Sequence, residues 1–254
     1  MSDLFDALKA RVEGDLMFDR FSRGRYATDA SLYQMMPLGV LSPRSEDDIS
    51  AAIDIAGDQG LPLMARGGGT SQCGQTVNEA LVLDNTQYFN DILELDVEGQ
   101  RCVVRPGIVL DDLNRALKPH GLWFPVDVST ASRATIGGMT GNNSCGGKSL
   151  RYGMMRDNVL SIDAFLADGS KHHFGPVKSA VSPQLQSLTD DLLHLGAREA
   201  AEIDARFPKV MRRVGGYNID ALVPRDMPNN LAHLLVGSEG TLAYSTALEL
   251  KLWP

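Results

Sequence analysis

The sequence lacks the features that would place it in a membrane or outside the cell. No window approaches the ~20 apolar residues needed to cross a bilayer, and residues 1–6 have neither the basic flank nor the apolar run of a signal peptide. Only three cysteines are present, Cys73, Cys102 and Cys145, and they form no CxxC pair. Dispersed, odd-numbered cysteines are typical of reduced thiols. We therefore expect a cytoplasmic protein, and leave open a peripheral contact with the inner membrane.

Positive charge is also scarce. Lysine and arginine number 24 against 32 acidic residues, which gives a net charge of −8. Nucleic-acid binding needs a clustered basic surface, so this balance argues against a nucleic-acid partner. The five histidines form no HxH or HxxxH pair, so we predict no metal site and leave the catalytic residues unassigned.

Glycine, in contrast, is plentiful and clustered. The chain has 25 glycines in 254 residues, concentrated in segments 66–74, 137–147 and 237–240 and in the pair Gly215-Gly216. Glycine clusters occur where the backbone needs positive φ or approaches a ligand closely. Three clusters in one chain indicate one ligand that is contacted at several points.

Hydrophobic periodicity alternates between helical and strand-like segments, which predicts an α+β fold with mixed sheets in two lobes around a cleft. A helix over 47–60 has Ser45 as its N-cap, and an Asp168-Gly169 turn predicts a hairpin. We expect a helical lead-in over 1–35, one lobe over 36–105 and a second over 106–254. The other expected helices are 109–120, 183–206 and 230–235, and the expected strands are 61–65, 80–84, 92–96, 101–107, 122–125, 159–167, 171–174 and 246–252.

The first glycine cluster, Arg66-Gly67-Gly68-Gly69-Thr70-Ser71, follows a predicted strand. Its unobstructed N–H groups can curl into a concave anion site, for which a diphosphate is the natural ligand. The segment is not a Rossmann fingerprint, because Gln72 stands where a third glycine is expected, and no Gly-Lys-Ser/Thr of a P-loop is present. Arg66 could anchor the loop or contact a phosphate, and both readings stay open.

The second cluster, residues 132–147, contains almost no hydrophobic bulk, so a flat ligand could lie against its backbone. The third, residues 237–242, follows an apolar run and is read as a strand-to-turn edge. Cys73 and Cys145 lie inside glycine clusters and are interpreted as small structural residues rather than redox centres.

Together these motifs resemble the FAD-linked oxidases of the vanillyl-alcohol-oxidase, or PCMH-type, superfamily. The branch most resembled contains D-lactate, glycolate and D-2-hydroxyglutarate dehydrogenases, and the resemblance covers about residues 20–252. The motifs, in order, are Arg66-Gly67-Gly68-Gly69-Thr70, Phe124-Pro125-Val126-Asp127, Thr135-Ile136-Gly137-Gly138, Asn142-Asn143-Ser144-Cys145-Gly146-Gly147, Tyr152-Gly153 and Gly237-Ser238-Glu239-Gly240-Thr241-Leu242.

The resemblance implies a PCMH-type FAD-binding domain and assigns residues to the cofactor. Residues Arg66, Gly67, Gly68, Gly69, Thr70 and Ser71 would cradle the pyrophosphate. Pro125, Asp127 and Ser129 would lie along the ribityl chain and pyrophosphate. The flavin–ribityl side would be lined by Thr135, Gly137, Gly138, Gly141, Asn142, Asn143 and Ser144. Val159 would contact the adenine edge, and Glu239 and Gly240 the adenine–ribose end.

Departures from the family pattern refine this picture. Covalent members have a histidine where this chain has Thr70, so the resemblance implies non-covalent FAD. Only one glycine remains in Gln72-Cys73-Gly74, where the family usually has a Gly-Gly pair. Residues 212–218 resemble a family segment near the flavin ring and substrate. The sequence stops at Pro254, where a cap domain with the substrate site and metal ligands would begin, so we expect that domain to be missing.

By this resemblance, the chain would be the flavin part of an enzyme that oxidises a 2-hydroxy acid by hydride transfer to flavin N5, with an unknown electron acceptor. Two alternatives remain: a non-catalytic flavin-binding subunit of a larger complex, and a flavin reductase of the cell-wall-precursor type.

Overall fold

The protein is described here by a computed structural model that covers residues 2–177 and 183–254. Two sheets form the framework, and the expected α+β architecture is confirmed. No helix in the described residues is long and apolar enough to cross a membrane.

The first sheet has the strand order β1-β2-β4-β3. Its strands are β1 (Asp15–Met17), β2 (Gly39–Ser42), β3 (Leu63–Arg66) and β4 (Leu81–Asp84). Strands β2 and β3 run parallel to the central β4, whereas β1 is antiparallel. The two inner strands, β2 and β4, are buried along their whole length, which suits their continuous apolar runs.

Helices α1 (Ser2–Lys9), α2 (Arg20–Arg25) and α3 (Glu46–Asp58) accompany this sheet. The Ser45 side chain accepts a hydrogen bond from Asp48 N, which confirms the predicted N-cap of α3. Apolar faces of α1 and α3 bury Leu8 and Ile49 against β2 and β4. The N-terminal segment therefore contributes to the core of the first lobe.

The second sheet is antiparallel, with the order β5-β6-β9-β7-β8. Its strands are β5 (Ile92–Asp96), β6 (Arg101–Val104), β7 (Val159–Phe165), β8 (Lys171–Phe174) and β9 (Tyr244–Lys251). The β7–β8 hairpin is confirmed. Because β5 and β6 pair within this sheet, the change from one sheet to the other falls between Asp84 and Ile92, before the expected lobe boundary at residue 105.

The remaining helices belong to the second lobe. They are α4 (Leu110–Leu117), α5 (Ile136–Asn142), α6 (Ser149–Tyr152), α7 (Met155–Asn158), α8 (Pro183–Arg198), α9 (Ala200–Arg206) and α10 (Ala232–Leu235), with 3₁₀ turns at Lys118–His120 and Ile219–Leu222. The single helix expected over 183–206 is divided at Glu199. The strand expected over 122–125 was wrong, because only Trp123 pairs there, in an isolated bridge to Trp253.

Contacts between the lobes join the two sheets. The Tyr244 hydroxyl on β9 donates to Asn85 Oδ1 at 2.7 Å, and burial raises the pKa of this tyrosine. Arg105 Nη1 lies 2.6 Å from Glu46 Oε1. Phe165 also packs into the apolar core of the first lobe, so polar and apolar contacts both fix the sheets relative to each other.

Three aromatic rings pack on one side of the second lobe. Tyr152 contacts Trp123 and Trp253 edge-to-face, with ring centroids 5.3 and 5.1 Å apart. The indole Nε1 of Trp253 donates to Asn158 Oδ1 at 3.1 Å. This aromatic cluster ties the segment after α4 to the residues after β9.

Candidate cofactor-binding site

A cavity of about 790 Å³ lies between the two lobes. Its size is that of a pocket for a small molecule or cofactor. Loops and helix ends provide most of its lining. These residues are Ala65, Arg66, Gly67, Gly68, Gly69, Thr70, Ser71, Gln72, Cys73, Gln75, Thr76, Asn85, Pro106, Asp127, Val128, Ser129, Thr130, Ala134, Thr135, Gly137, Gly138, Met139, Thr140, Gly141, Asn142, Ser144, Cys145, Gly146, Gly147, Val214, Leu235, Ser238, Glu239, Gly240, Ala243 and Ser245.

One wall of the cavity is the glycine loop, residues 66–76, which leaves the end of edge strand β3. Within the described parts of the chain, the N–H groups of residues 67–71 donate to no protein acceptor. Gly69 has φ +63°, a conformation that glycine adopts without steric cost. A run of unpaired N–H groups beside a cavity is an anion-binding arrangement.

The glycine loop touches the segment before α5 so closely that side chains would not fit. A Cβ added to Gly68 would lie 2.1 Å from the Arg133 carbonyl oxygen, and one added to Gly67 would lie 2.1 Å from Thr135 Oγ1. Glycine is therefore required here for contact between the two walls, as well as for backbone conformation.

Arg66 is buried beneath the glycine loop, with 8% of its surface exposed. Its Nη1 donates to the carbonyls of Tyr26 and Thr76 at 3.1 and 2.7 Å, and its Nη2 donates to the Thr28 carbonyl at 2.7 Å. The guanidinium also lies 5.4 Å from the centroid of the Tyr26 ring. The side chain thus joins three separate segments of backbone.

Two carboxylates near Arg66, those of Asp84 and Asp29, offset its positive charge. Burial lowers the pKa of Arg66, while the nearby carboxylates of Asp84 and Asp29 oppose that shift. The Tyr26 hydroxyl donates to Asp84 Oδ2 at 2.7 Å, and burial together with this carboxylate raises the pKa of Tyr26 to about 12. The network keeps the tyrosine protonated at neutral pH.

The opposite wall is α5 with its flanking turns. The Thr135 side chain caps α5 by accepting from Gly138 N. The N–H groups of Ile136 and Gly137 donate to the carbonyls of Ile108 and Pro106 at 2.9 and 2.8 Å. The N–H groups in the first turn of this helix are therefore already hydrogen-bonded within the protein.

Asn143 ends α5 in the left-handed conformation and is fully buried. Its Oδ1 accepts from Arg156 N at 3.1 Å, and its Nδ2 donates to the Arg213 carbonyl at 3.4 Å. Behind it, Asp220 lies 3.0 Å from Arg156 Nη1 and 2.5 Å from Arg213 Nη2. This Asp220 cluster fixes residues 213–220 to the back of the α5 wall.

A third part of the lining is the turn at 238–240. Glu239 N donates to the Gly141 carbonyl at 2.9 Å, and Glu239 Oε1 accepts from Asn142 Nδ2 at 2.9 Å. Glu239 has φ +54°, which is uncommon for a residue other than glycine. The turn is thereby held against the second half of α5.

Asp127 lies on the cavity side of the segment that leads from the aromatic cluster. Its Oδ1 accepts from Lys148 N at 3.0 Å. Among the described residues that line the cavity, Arg66 is the only cation, whereas Asp127 and Glu239 carry carboxylates. An anionic ligand would consequently depend on main-chain N–H groups.

The structure brings together all of the residues predicted for the cofactor except three. Pro125 and Asn143 are buried and do not line the cavity, and Val159 is 1% exposed within the core of the second lobe. Val159 therefore has no surface toward the cavity, although the resemblance had given it a contact with adenine.

Several lining residues were not found from the sequence, among them Asn85, Pro106, Leu235 and Ser245. Asn85 directly follows the buried strand β4, and residues at the carboxyl end of such strands commonly face a ligand crevice. The place of Asn85 in the sequence could therefore have predicted that it lines the cavity. Pro106, Leu235 and Ser245 adjoin the cavity only through tertiary packing.

Reactive side chains near the cavity are few. Cys73 and Cys145 line it, while Cys102 is in the core, where burial raises its pKa to about 12. No histidine of the described residues lines the cavity. No cluster of ligating side chains that could hold a metal ion occurs in the described part of the chain.

Fold and site together define a two-lobed protein with a cofactor-sized cavity, one wall of which is a glycine loop. The family model described as an FAD binding domain matches residues 37–175. The chain belongs to this FAD-binding family, and FAD is its cofactor.

Three curated relatives are similar to this chain over most of its length. A D-2-hydroxyglutarate dehydrogenase of Pseudomonas putida is 36% identical over 99% of this chain, which covers 26% of that protein. The glycolate oxidase subunit GlcD of Bacillus subtilis is 33% identical over 96% of the chain and 43% of its own length. A D-lactate dehydrogenase of Archaeoglobus fulgidus is 32% identical over 85% of this chain, which covers 38% of that protein. The chain thus spans a quarter to less than half of these relatives.

Among solved structures, an alkyldihydroxyacetonephosphate synthase superposes with a TM-score of 0.71 at 18% identity. The match covers 100% of this chain and 44% of that protein. This likeness confirms the PCMH-type fold that the sequence motifs implied.

The residues present fit FAD. The glycine loop has the close approach that a Cβ would prevent, and it offers free N–H groups for a diphosphate. The small residues of α5 leave backbone surface on the opposite wall for a flat ring system.

Proposed function

We propose that this chain is the FAD-binding part of an enzyme that oxidises a 2-hydroxy acid. The relatives named for D-2-hydroxyglutarate, glycolate and D-lactate share this substrate class. The observation that carries the cofactor part of the proposal is the row of N–H groups at residues 67–71, which have no acceptor among the described residues. These residues line a cavity large enough for a cofactor.

In this proposal the pyrophosphate lies on residues 66–71 of the glycine loop, without a covalent bond to Thr70. Asp127 and Ser129 flank the ribityl chain, and Glu239 and Gly240 the adenine–ribose end. The ring system rests on the α5 wall, lined by Thr135, Gly137, Gly138, Gly141, Asn142 and Ser144. We assign Pro125 and Asn143 to support of the lining from behind.

FAD supplies the electron-accepting chemistry, in which hydride leaves the carbon that carries the substrate hydroxyl. The residues of this chain bind and orient the cofactor and shield it from water. Among the described residues the cavity lining has no histidine or lysine, and its carboxylates, Asp127 and Glu239, already accept hydrogen bonds from Lys148 N and Asn142 Nδ2. We therefore assign the base for the hydroxyl proton outside the cavity lining. The electron acceptor is left unassigned.

The test of FAD binding is direct. The purified chain, titrated with FAD by isothermal calorimetry, is expected to bind one equivalent, and acid precipitation should release the flavin intact. A chain that shows neither heat of binding nor flavin absorbance after incubation with FAD would contradict the proposal.

The substrate class needs a second test. The full-length product of the gene should reduce an artificial dye with D-2-hydroxyglutarate, D-lactate or glycolate as donor. Activity only with NADPH as donor would instead support a reductase. Absence of activity with all four donors, in a protein that contains FAD, would favour a non-catalytic flavin subunit.

A further inference from the structure

We infer that Arg66 is a positioning residue: it shapes the glycine loop by binding backbone carbonyls, while the FAD diphosphate rests on the N–H groups of residues 67–71. The inference rests on the proposed function. It separates two roles that the sequence leaves open for Arg66, an anchor of the loop and a contact to phosphate.

The direction of the guanidinium supports the anchoring role. Both terminal nitrogens donate to main-chain carbonyls, those of Tyr26, Thr28 and Thr76. These carbonyls lie 40, 38 and 10 positions from Arg66 along the chain. The Arg66 side chain therefore connects the segment before β2 to both ends of the loop.

The loop itself has few other means of support. Its three consecutive glycines have no side chains to pack, and glycine loses more conformational entropy on folding than any other residue. One additional tie is the Thr76 hydroxyl, which donates to Asp29 Oδ2 at 3.0 Å. A second is Ala30 N, which donates to the Gly69 carbonyl at 3.1 Å.

The distribution of free donors indicates where an anion binds. The first N–H groups of α5 are used by Thr135 and by the carbonyls of Ile108 and Pro106. The N–H groups of residues 67–71 have no acceptor in the described chain. Consecutive N–H groups in a glycine turn bind phosphate oxygens without a side-chain cation.

Arg66→Lys and Arg66→Gln distinguish the two roles. Lysine keeps the charge but cannot reach three carbonyls from a planar fork. Hydrogen exchange of Ala30, whose N–H donates to the Gly69 carbonyl, is measured first without FAD, and FAD affinity is then measured by calorimetry. We expect both variants to exchange faster at Ala30 and to bind FAD at least about tenfold more weakly, because each loses hydrogen bonds from a charged donor.

Arg133→Gln is the matched control, since Arg133 is exposed and its carbonyl adjoins the same loop. It should change neither exchange nor affinity by more than about twofold, because an exposed charge has little effect on local stability. If Arg66→Lys retains wild-type exchange and affinity while Arg66→Gln loses affinity, the guanidinium acts through its charge on phosphate and the inference is wrong.

A measurement on the wild-type chain covers the case in which both variants fail to fold. FAD should slow exchange of the amides at 67–71 at least about tenfold, because they become hydrogen-bond donors to the diphosphate. FAD binding without protection of these amides would overturn the inference. Faster exchange at Ala30 in the Arg66 variants of a chain that binds no FAD would support the positioning role and reject the proposed function.

Discussion

The two walls of the cavity are built in opposite ways. In the glycine loop the N–H groups of residues 67–71 have no acceptor in the described chain, and the buried Arg66 side chain donates to the Thr76 carbonyl at the end of the loop. The α5 wall has its first donors satisfied and is fixed from behind by Asn143 and the Asp220 cluster. One wall therefore provides binding groups, and the other provides a fixed surface.

This difference predicts different consequences for mutations in the two walls. A change in the glycine loop should act mainly on FAD affinity, since few core contacts depend on the loop. A change behind α5 should act mainly on the free energy of unfolding, because it breaks a half-buried network.

Asp220→Ala should destabilise the protein by about 3 kcal/mol, because it leaves Arg156 and Arg213 without their shared carboxylate in a largely buried place. Urea unfolding measures the effect. The control is Asp204→Ala, whose partner is Lys209 and whose side chain is 81% exposed; its expected cost is about 0–1 kcal/mol. Equal losses in the two variants would contradict the role given to the Asp220 cluster.

Gly68→Ala should weaken FAD binding by about tenfold to a hundredfold, since an overpacked contact costs about 1–3 kcal/mol and the new Cβ would lie 2.1 Å from the Arg133 carbonyl oxygen. Calorimetric titration with FAD measures the effect. Gly24→Ala in α2 serves as the control, because Gly24 does not line the cavity and a Cβ there meets no atom within 4 Å. If Gly68→Ala lowered stability but left affinity intact, the division between the walls would fail.

Acid should remove the contribution of the Asp220 cluster. Burial raises the pKa of Asp220, but Arg156 and Arg213 outweigh it and hold the pKa below the ordinary value of 3.8. A carboxyl whose pKa is lowered on folding stabilises the protein above its unfolded-state pKa, and this contribution is lost as pH falls through the folded-state value. The stability difference between wild type and Asp220→Asn should thus shrink below about pH 4. A difference that stays constant from neutral pH to strong acid would exclude this explanation.

Gly57→Ala should stabilise the protein by about 0.5–1 kcal/mol, because Gly57 lies in α3 with open space around it. Gly57 does not line the cavity, and its new methyl group meets no other atom, so FAD affinity should not change. A thermal melt and a titration on the same sample measure both effects. A change in FAD affinity would show that the walls are coupled to α3.

Much of the framework was predictable from the sequence, because α3, α4 and the β7–β8 hairpin have strong local signals. The Ser45 cap and the Asp168-Gly169 turn are examples, since each depends on neighbouring residues only. Helix α5 was missed for the opposite reason. Its sequence, Ile-Gly-Gly-Met-Thr-Gly-Asn, has low intrinsic helix propensity, and the helix forms through its Thr135 cap and tertiary contacts.

In the site, motifs indicated which segments meet at the cavity but not which side chains face it. Val159 is buried in the core of the second lobe, and Pro125 is buried without lining the cavity. Arg66 was ambiguous because its partners, the carbonyls of Tyr26 and Thr28, lie far away in sequence. The direction of a side chain depends on such distant partners, and local sequence does not contain them.

The aromatic cluster has a consequence for spectroscopy. The protein has two tryptophans, and both contact the Tyr152 ring in the second lobe. Their fluorescence would report on the surroundings of this aromatic cluster and would not detect a local opening of the first sheet. An unfolding curve from tryptophan emission should therefore be compared with one from circular dichroism. If the two curves separate, the lobes lose their structure in different steps.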